Sequence, residues 1–391
     1  MRRPHLTVVL SIALFLSFSI NPANAAIKAG ATCTKIGSKS IVGNKTFTCI
    51  KSGKKLIWNT GVLNKTSKTA QVVYPAAPTD FSNLYANRTG IAYAAWKATS
   101  DSILNGTSTL KNVKVLIGPN TIPPIYKTPE IAFGLVSKAF NKYETPKDTV
   151  LIEYSLSDIS WAENKIRELV TNAEYDQLNR NENGKLVTSH CNATECFGAK
   201  QVSVPGVDGV AFILAGVPTS NYIDPVQAPK WNTGQLEAHE FFHAMQRRNV
   251  AGFSTKDWAV SWIVEGGAAL VQNLVMSSTS HEKYLEWRKI DALRMIGPNS
   301  PVTSQFMADF LDLEKNKDYW RSVDNFYAYN LGSRIMEVFV ALKGPGVLLD
   351  LHKETAVNGF NVAFQNLFGI PWSEASPIIN KTIVDSLRSG N

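Results

Sequence analysis

The segment Ala238-His239-Glu240-Phe241-Phe242-His243 carries the pattern His-Glu-x-x-His, and the expected fold is built around it. On an α-helix, side chains four residues apart lie on one face, so His239 and His243 can bind the same metal ion. Glu240 follows His239 by about 100° around the helix, within reach of a metal-bound water. The apolar residues of the segment, together with Met245, lie on the opposite side. The pattern therefore predicts a helix with one face packed in the core and the other facing a cleft.

A zinc site of this kind needs a third protein ligand and one open position. No third histidine follows at short spacing, so the ligand must come from another element. The best candidate is Glu265, in Trp262-Ile263-Val264-Glu265-Gly266-Gly267-Ala268, which lies 22 residues after His243. We expect Glu265 at the start of a helix that continues to about Met276. The alternative is an acidic residue favoured near a helix N-terminus by the helix dipole.

The spacing of the two motifs resembles that of the gluzincin zinc metallopeptidases. His-Glu-x-x-His followed by Trp-x-x-Glu-Gly-x-Ala is similar to the aminopeptidase N-like branch of the clan that also contains thermolysin-like enzymes, with matches at Trp262, Glu265, Gly266 and Ala268. The resemblance covers roughly Trp231 to Leu387. It implies that Glu265 is the third metal ligand, that the cofactor is Zn2+ and that the substrate is a peptide or protein.

A later motif extends the resemblance. The aminopeptidase N-like branch places a tyrosine in a Tyr-x-x-Gly pattern at a helix start, where its hydroxyl stabilises the tetrahedral intermediate. Tyr329-Asn330-Leu331-Gly332 fits this pattern, and an apolar helix from Ile335 to Leu342 is expected after it. The resemblance thus implies catalytic roles for Glu240 as general base and for Tyr329 as oxyanion donor, with Tyr327 as the alternative donor. A packed aromatic ring with its hydroxyl in water is the other interpretation of Tyr329.

Two features depart from the family pattern. The chain has no Gly-x-Met-Glu-Asn string upstream, so aminopeptidase specificity is not supported. Thermolysin-like enzymes place an aspartate where this chain has Ala269, which leaves the residues that orient the histidines unassigned. The histidines outside the motif are predicted to be surface or structural residues: His190, His281 and His352.

The N-terminus has the form of a secretory signal peptide, residues 1–25. Arg2 and Arg3 precede an apolar stretch from Leu6 to Phe18 that is too short to span a bilayer comfortably, and Ala23-Asn24-Ala25 offers a cleavage site. An uncleaved membrane anchor is the alternative. No other long apolar run exists in the sequence, so we expect no transmembrane segment after cleavage and a secreted, extracellular or cell-wall-associated protein.

The four cysteines predict two disulfide bonds, because an even count is typical of exported proteins. Each pair lies within its own segment, which predicts Cys33–Cys49 and Cys191–Cys196. Free or metal-binding thiols are the alternative. The absence of a Cys-x-x-Cys spacing argues against a thiolate zinc site.

The net charge of +8 is concentrated at the N-terminus. Residues 26–70 contain nine lysines and no acidic residue, so the segment from Gln71 to Asn391 is slightly acidic and is not expected to bind nucleic acid. Residues 26–60 are predicted to form a basic, β-rich module closed by the first disulfide. The module resembles the lysine-rich, two-cysteine modules of secreted actinobacterial proteins. Binding to anionic cell-wall polymers and a solubilising spacer role are both compatible with it.

The remaining chain is predicted to have a linker at 61–80 and a zinc metallopeptidase domain at 81–391. Its 81–230 part alternates strands and helices, including a helix from about Ile159 to Asn172, and its 231–391 part is mainly helical. The fold class is therefore α+β, with a mixed β-sheet N-terminal subdomain, a helical C-terminal subdomain and the zinc site between them. Either Gln201 to Val204 or Gly209 to Ala215 can form the sheet edge that lines the cleft.

The sequence as a whole predicts a secreted zinc-dependent metallopeptidase. The competing hypothesis is a catalytically inactive, cell-wall-associated binding or adhesion protein that keeps a peptidase fold. Glu240 favours the enzyme, because degenerate members often lose the general base. A glycosidase is less favoured because no pair of carboxylates stands out.

Overall fold

The computed structural model describes residues 27–43, 45–63, 73–121, 127–204, 210–218, 228–250, 260–315 and 325–390. The predicted signal peptide therefore lies outside the described residues, as does 64–72 of the predicted linker. The chain divides into two compact units, Met1–Val73 and Tyr74–Asn391. The predicted α+β class is confirmed, since helices and mixed strands build the larger unit and antiparallel strands the smaller one.

The N-terminal unit is a small antiparallel sheet centred on its second strand. Its strands are β1 (Lys39–Val42), β2 (Lys45–Ser52), β3 (Lys55–Trp58) and β4 (Val62–Leu63), and β2 pairs with each of the other three. The predicted Cys33–Cys49 disulfide ties the N-terminal segment to β2, where Phe47 and Cys49 are buried. Because β4 pairs with β2, the sheet extends to Leu63, beyond the predicted end of the module at residue 60.

The larger unit is built on a four-stranded mixed sheet in the order β5-β6-β8-β7. The strands are β5 (Asn112–Ile117), β6 (Asp148–Tyr154), β7 (Gly198–Ser203) and β8 (Ala211–Gly216). β5, β6 and β8 are parallel, whereas β7 is antiparallel to β8 and ends the sheet. Every residue of β8 is buried. The sequence left open whether Gln201 to Val204 or Gly209 to Ala215 forms the sheet edge. The structure shows that β7, which contains Gln201, is an edge strand.

Helices surround this sheet and make up most of the larger unit. They are α1 (Ile91–Asn105), α2 (Pro129–Ala139), α3 (Ile159–Arg167), α4 (Asn172–Asn181), α5 (Ala228–Asn232), α6 (Gln235–Asn249), α7 (Ser261–Met276), α8 (His281–Asp291), α9 (Ser304–Leu311), α10 (Asn325–Lys343), α11 (Val347–Asn358), α12 (Phe360–Phe368) and α13 (Trp372–Arg388). No helix among the described residues has the length and apolar character needed to cross a membrane.

The helix predicted from Ile159 to Asn172 is wrong, because two helices occupy this region. α3 ends at Arg167, and α4 begins at Asn172. The Thr171 hydroxyl accepts a hydrogen bond from the Glu174 backbone N–H, and the Glu174 carboxylate accepts one from the Thr171 N–H. This capping box satisfies two backbone donors that a helix start leaves unpaired, so it favours a new helix at the residue where the first was expected to end.

The helix that carries His-Glu-x-x-His is packed as its apolar face predicts. Ala238, Phe241, Phe242 and Met245 are fully buried. The ring of Phe241 lies 4.9 Å from that of Phe133 in α2, and the ring of Phe242 lies 5.0 Å from that of Phe140. Burial of large aromatic side chains on one face of α6 therefore fixes which face is left for the histidines.

α7 and α10 cross in backbone contact at two glycines. A Cβ atom built on Gly266 would lie 2.4 Å from the carbonyl carbon of Gly332, and one built on Gly332 would lie 2.7 Å from the Trp262 carbonyl oxygen. Only glycine permits this approach. Since Gly266 follows Glu265 and Gly332 lies one turn after Tyr329, the crossing fixes the relative positions of these two side chains.

Gly332→Ala is expected to lower the free energy of unfolding by about 1–3 kcal/mol, because the helices must separate to admit the methyl group. Chemical denaturation measures the change. Gly134→Ala in α2 is the matched control, since a Cβ there meets no heavy atom within 4 Å. We expect Gly134→Ala to be neutral or slightly stabilising, because alanine is the better helix former. Equal midpoints for Gly332→Ala and wild type would contradict the close crossing.

Candidate metal centre

Three side chains from two helices converge at the face of α6 that carries the two histidines. His239 and His243 come from α6, and Glu265 comes from α7. The Nε2 atoms of the two histidines are 3.1 Å apart. Glu265 Oε2 lies 3.2 Å from His243 Nε2 and 3.4 Å from His239 Nε2. Among the described residues these three form a group that could hold a metal ion.

The donor triangle fits one tetrahedral zinc ion. With bonds of about 2.0–2.1 Å from zinc to nitrogen or oxygen, neighbouring ligand atoms of a tetrahedral site lie about 3.3 Å apart. The three distances here, 3.1, 3.2 and 3.4 Å, cluster around that value. Two imidazoles and one carboxylate also form a donor set that zinc favours. The triangle leaves a fourth tetrahedral position for another ligand.

The position of Glu265 within α7 argues against the alternative that it is an acid favoured near the helix N-terminus by the helix dipole. The helix begins at Ser261, four residues before the expected start, and its first turn contains no acidic residue. Glu265 therefore lies beyond the turn in which the helix dipole favours acids. Its carboxylate points instead at the two imidazoles of α6.

Gln246 fixes the protonation pattern of His243. The Gln246 side-chain amide donates from Nε2 to the backbone carbonyl of Val264, 3.2 Å away. A carbonyl only accepts, so the Oε1 atom of Gln246 must face His243, where it lies 2.7 Å from Nδ1. Nδ1 of His243 must then carry the proton. The Nε2 lone pair is thereby left available for a metal ion.

A second glutamine contacts the other histidine. The Oε1 atom of Gln272 lies 3.1 Å from His239 Nδ1. Gln272 is seven residues after Glu265 on α7, which is about two helical turns on the same face. Sequence reasoning looked for an orienting carboxylate at Ala269 and missed both glutamines. Their helical spacing from His243 and Glu265 was the signal that could have found them.

The three groups compensate each other electrostatically when no metal is bound. Burial opposes a charge on His243, but the adjacent Glu265 carboxylate outweighs burial and raises the His243 pKa to about 9. Burial also opposes the charge on Glu265, yet the neighbouring histidines hold the pKa of Glu265 well below its usual range. Without a metal, a proton on His243 thus supplies the positive charge that a metal ion would supply when bound. A metal ion must displace this proton to bind.

Glu240 is buried beside the histidines and faces the edge strand. Burial raises the pKa of Glu240, while His239 and His243 oppose the increase. The backbone N–H of Gln201 in β7 interacts with this carboxylate. Its Oε2 atom has no hydrogen-bond partner in the described part of the chain. A buried carboxylate with a raised pKa and an unpaired oxygen has the properties of a general base.

Tyr329 lies at the same site, whereas Tyr327 does not. The Tyr329 ring stacks on the His239 ring with centroids 5.6 Å apart and planes 14° apart. The Tyr327 ring packs against Phe306, with centroids 4.8 Å apart. Both residues belong to α10, which begins at Asn325 and includes the apolar segment expected from Ile335. Of the two tyrosines, the geometry brings Tyr329 to the metal ligands.

The site opens into a cleft of about 480 Å³ whose lining includes His239, Glu240, Gln272 and Tyr329. One wall comes from residues on either side of the loop that the predicted Cys191–Cys196 disulfide closes: His190 before it, and Gly198 and Ala199 of β7 after it. The sequence placed His190 among surface or structural residues, so its position in the cleft wall was missed. The other two histidines do not line the cleft. His281 packs in an aromatic cluster with Tyr93, and His352 is buried on α11.

Comparisons with known proteins add nothing to this geometry. No family model matches the chain, and searches of curated proteins and of solved structures found no match.

Two further carboxylates are buried next to the site. Glu153 in β6 and Glu237 in α6 each have an Oε2 atom without a partner among the described residues. Burial raises the pKa of Glu153 to about 7. Burial, with the negative charges of Glu153 and Glu240, raises the pKa of Glu237 to about 8. The interior behind Glu240 thus contains two further carboxyl groups and is unfavourable to further negative charge.

Glu153→Gln is expected to stabilise the protein at alkaline pH. The native pKa of about 7 exceeds the ordinary value of 4.5, so the native state holds a proton that the unfolded state has lost. Stability therefore falls as pH rises through this window. Removing the charge should raise the free energy of unfolding by about 3 kcal/mol at pH 8, with little change at pH 4.5. Thermal unfolding at both pH values measures this, and the exposed Glu168→Gln serves as control. A gain that is equal at both pH values would contradict the assignment.

Proposed function

We propose that this protein is a zinc-dependent metallopeptidase of gluzincin type. The observation that carries the proposal is the triangle of His239, His243 and Glu265 beside a cleft that is lined by His239 and Glu240. The order of motifs along the chain resembles the same class. The donor geometry and the order of the motifs both support the proposal.

The substrate lies along β7 in the proposed complex. β7 is the edge of the sheet, and an extended peptide can pair with an edge strand through main-chain hydrogen bonds. The contact between the Gln201 N–H and Glu240 brings this edge next to the proposed base. An extended segment beside β7 therefore presents its peptide bonds to Glu240 and to the open side of the donor triangle.

Each catalytic residue has a separate task in this proposal. Zn2+ held by His239, His243 and Glu265 supplies Lewis acidity, which polarises a carbonyl and lowers the pKa of a water molecule. Glu240 takes a proton from the attacking water and passes it to the nitrogen of the leaving amine. Tyr329 donates a hydrogen bond to the carbonyl oxygen as that oxygen gains negative charge.

The N-terminal unit supports attachment to an anionic surface. The lysines that the structure describes there are all exposed: Lys28, Lys35, Lys39, Lys45, Lys51, Lys54 and Lys55. A field of this size attracts anionic wall polymers over about one Debye length, roughly 8–10 Å in physiological salt. The two disulfides favour an oxidising compartment, in keeping with an extracellular location.

Metal analysis and peptide cleavage test the proposal together. Zinc is measured in freshly purified protein, and a peptide library is then incubated with and without a chelator. We expect about one zinc per chain and cleavage that the chelator abolishes and added zinc restores. Absence of zinc together with absence of chelator-sensitive cleavage would overturn the proposal. Bound zinc without any cleavage would instead favour the inactive binding protein.

A further inference from the structure

The cleft beside the donor triangle contains an arginine, Arg294, for which the described residues supply no carboxylate partner. Arg294 is exposed and follows α8, and its guanidinium lies 5.1 Å from the centre of the Phe326 ring. No ion pair to Arg294 is present among the described residues. A guanidinium held over an aromatic face keeps its five N–H donors free in its own plane. Arg294 is thus oriented while its charge remains available to a ligand.

A lysine in the same cleft, Lys230, is positioned by a buried carboxylate. Lys230 Nζ lies 3.6 Å from Asp291 Oδ1. Asp291 is buried, and its other oxygen accepts a hydrogen bond of 2.6 Å from the Asn273 side-chain amide. Asn273 in turn accepts a hydrogen bond from Gln235 at the start of α6. Asp291 is therefore anchored in the interior, and it fixes the Lys230 ammonium in the cleft wall.

The charges of the cleft outside the catalytic residues do not balance. Lys230 and Arg294 contribute two cations, and Asp291 contributes one anion. His190 adds no charge at neutral pH, because burial and then the Lys200 charge lower its pKa. Several other lining side chains are apolar, including Leu236, Ile290 and Leu293, and apolar surroundings strengthen electrostatic attraction. The cleft consequently favours an anionic ligand, although residues 71–391 as a whole are slightly acidic.

We infer that this cleft selects peptides that carry a carboxylate near the bond to be cleaved, with Arg294 as the recognising side chain and Lys230 as the second cation. The inference rests on the proposed peptidase function, whose substrate class it names. A planar guanidinium with parallel N–H donors matches a carboxylate, which favours bidentate binding. The carboxylate belongs either to an Asp or Glu side chain or to the peptide C-terminus.

Matched peptides distinguish these sources. Fluorogenic alanine-rich peptides carry one Glu or one Gln at successive positions around the cleaved bond, each with a free or an amidated C-terminus. We expect a preference of about tenfold in kcat/KM for one carboxylate position over its neutral counterpart, the value of one charge-assisted hydrogen bond. If replacing Glu by Gln removes the preference, the recognised carboxylate belongs to a side chain. If amidation removes it, the recognised carboxylate is the peptide C-terminus.

Arg294→Gln should abolish this preference, so that kcat/KM no longer differs between the carboxylate peptide and its neutral counterpart. Arg294→Glu should reverse it in favour of peptides with lysine at that position. Arg388→Gln is the matched control, because Arg388 is an exposed arginine at the end of α13 and does not line the cleft. Equal cleavage of all Glu and Gln peptides by the wild-type protein, or an undiminished preference in Arg294→Gln, would overturn the inference.

Binding separates this inference from the proposed activity. Calorimetry measures the affinity of the chelator-treated full chain for the Glu and Gln peptides. Carboxylate-selective binding that Arg294→Gln removes supports the site even if no peptide is cleaved, in which case the proposed function alone fails. If peptides are cleaved but neither cleavage nor binding depends on a carboxylate, the inference is overturned and the proposed peptidase function stands.

Discussion

Glu240→Gln is expected to retain zinc and to lower turnover by about 10²–10⁴-fold. Glutamine has the size and shape of glutamate but cannot accept a proton at neutral pH. The metal ligands do not depend on this side chain, because their contacts run among His239, His243 and Glu265. The substitution also removes a buried carboxylate whose Oε2 lacks a partner among the described residues. The free energy of unfolding should therefore stay the same or increase.

Glu237→Gln is the matched control for this variant. Glu237 lies one turn earlier on the same helix and is also buried. Its raised pKa of about 8 means that it is mainly protonated at pH 7, a state that glutamine imitates well. Metal content and single-turnover rates are measured for both variants. If Glu237→Gln loses as much activity as Glu240→Gln, the loss reflects a general disturbance of α6, and the general-base role is refuted.

Zinc is expected to stabilise the wild-type protein strongly and to stabilise Glu265→Gln far less. A ligand that binds only the native state contributes about 4 kcal/mol at a concentration 1,000 times its Kd. Glu265 is the anionic member of the donor set, and glutamine removes its charge with little change in volume. The loss of one of three donors should lower zinc affinity by at least tenfold. The difference in Tm with and without zinc measures the effect in each protein.

The same substitution at Glu282 provides the comparison for Glu265→Gln. Glu282 is exposed in the first turn of α8, where its contacts do not include the donor triangle. Glu282→Gln should keep the full zinc-induced increase in Tm. If zinc raises the Tm of Glu265→Gln as much as that of the wild type, then Glu265 is not a ligand. The triangle would in that case be an ion pair that happens to have the dimensions of a zinc site.

The local chemistry of α6 could be predicted from sequence because helical periodicity alone decides it. The four-residue spacing of the histidines and the apolar residues around Phe241 fix which faces point inward and outward. The disulfides could be predicted for a similar reason, since each pair is close in the chain. The separation of α3 from α4 could also have been found, because Thr171 and Glu174 form a capping box that is visible in the sequence.

Other features depend on contacts between distant segments. Nothing in the local pattern of Gln201 or Phe212 decides which strand ends the sheet, because strand order is set by pairing between segments. Lys230 in α5 and Arg294 after α8 are more than sixty residues apart in the chain, so their presence in one cleft follows only from the packing of distant segments. His190 lies in the cleft wall, where its backbone carbonyl accepts a hydrogen bond from the Phe197 N–H across the disulfide loop, a contact that the local sequence does not reveal.

The position of β7 also bears on how the protein avoids self-association. An uncovered strand edge is a template for pairing with other chains and a common cause of aggregation. Here the helix that carries the histidines packs beside β7, and the Gln201 N–H is already engaged by Glu240. Because α6 and Glu240 already occupy part of this edge, a strand of another sheet would have to displace them to pair along its whole length. The covered edge therefore disfavours edge-to-edge association.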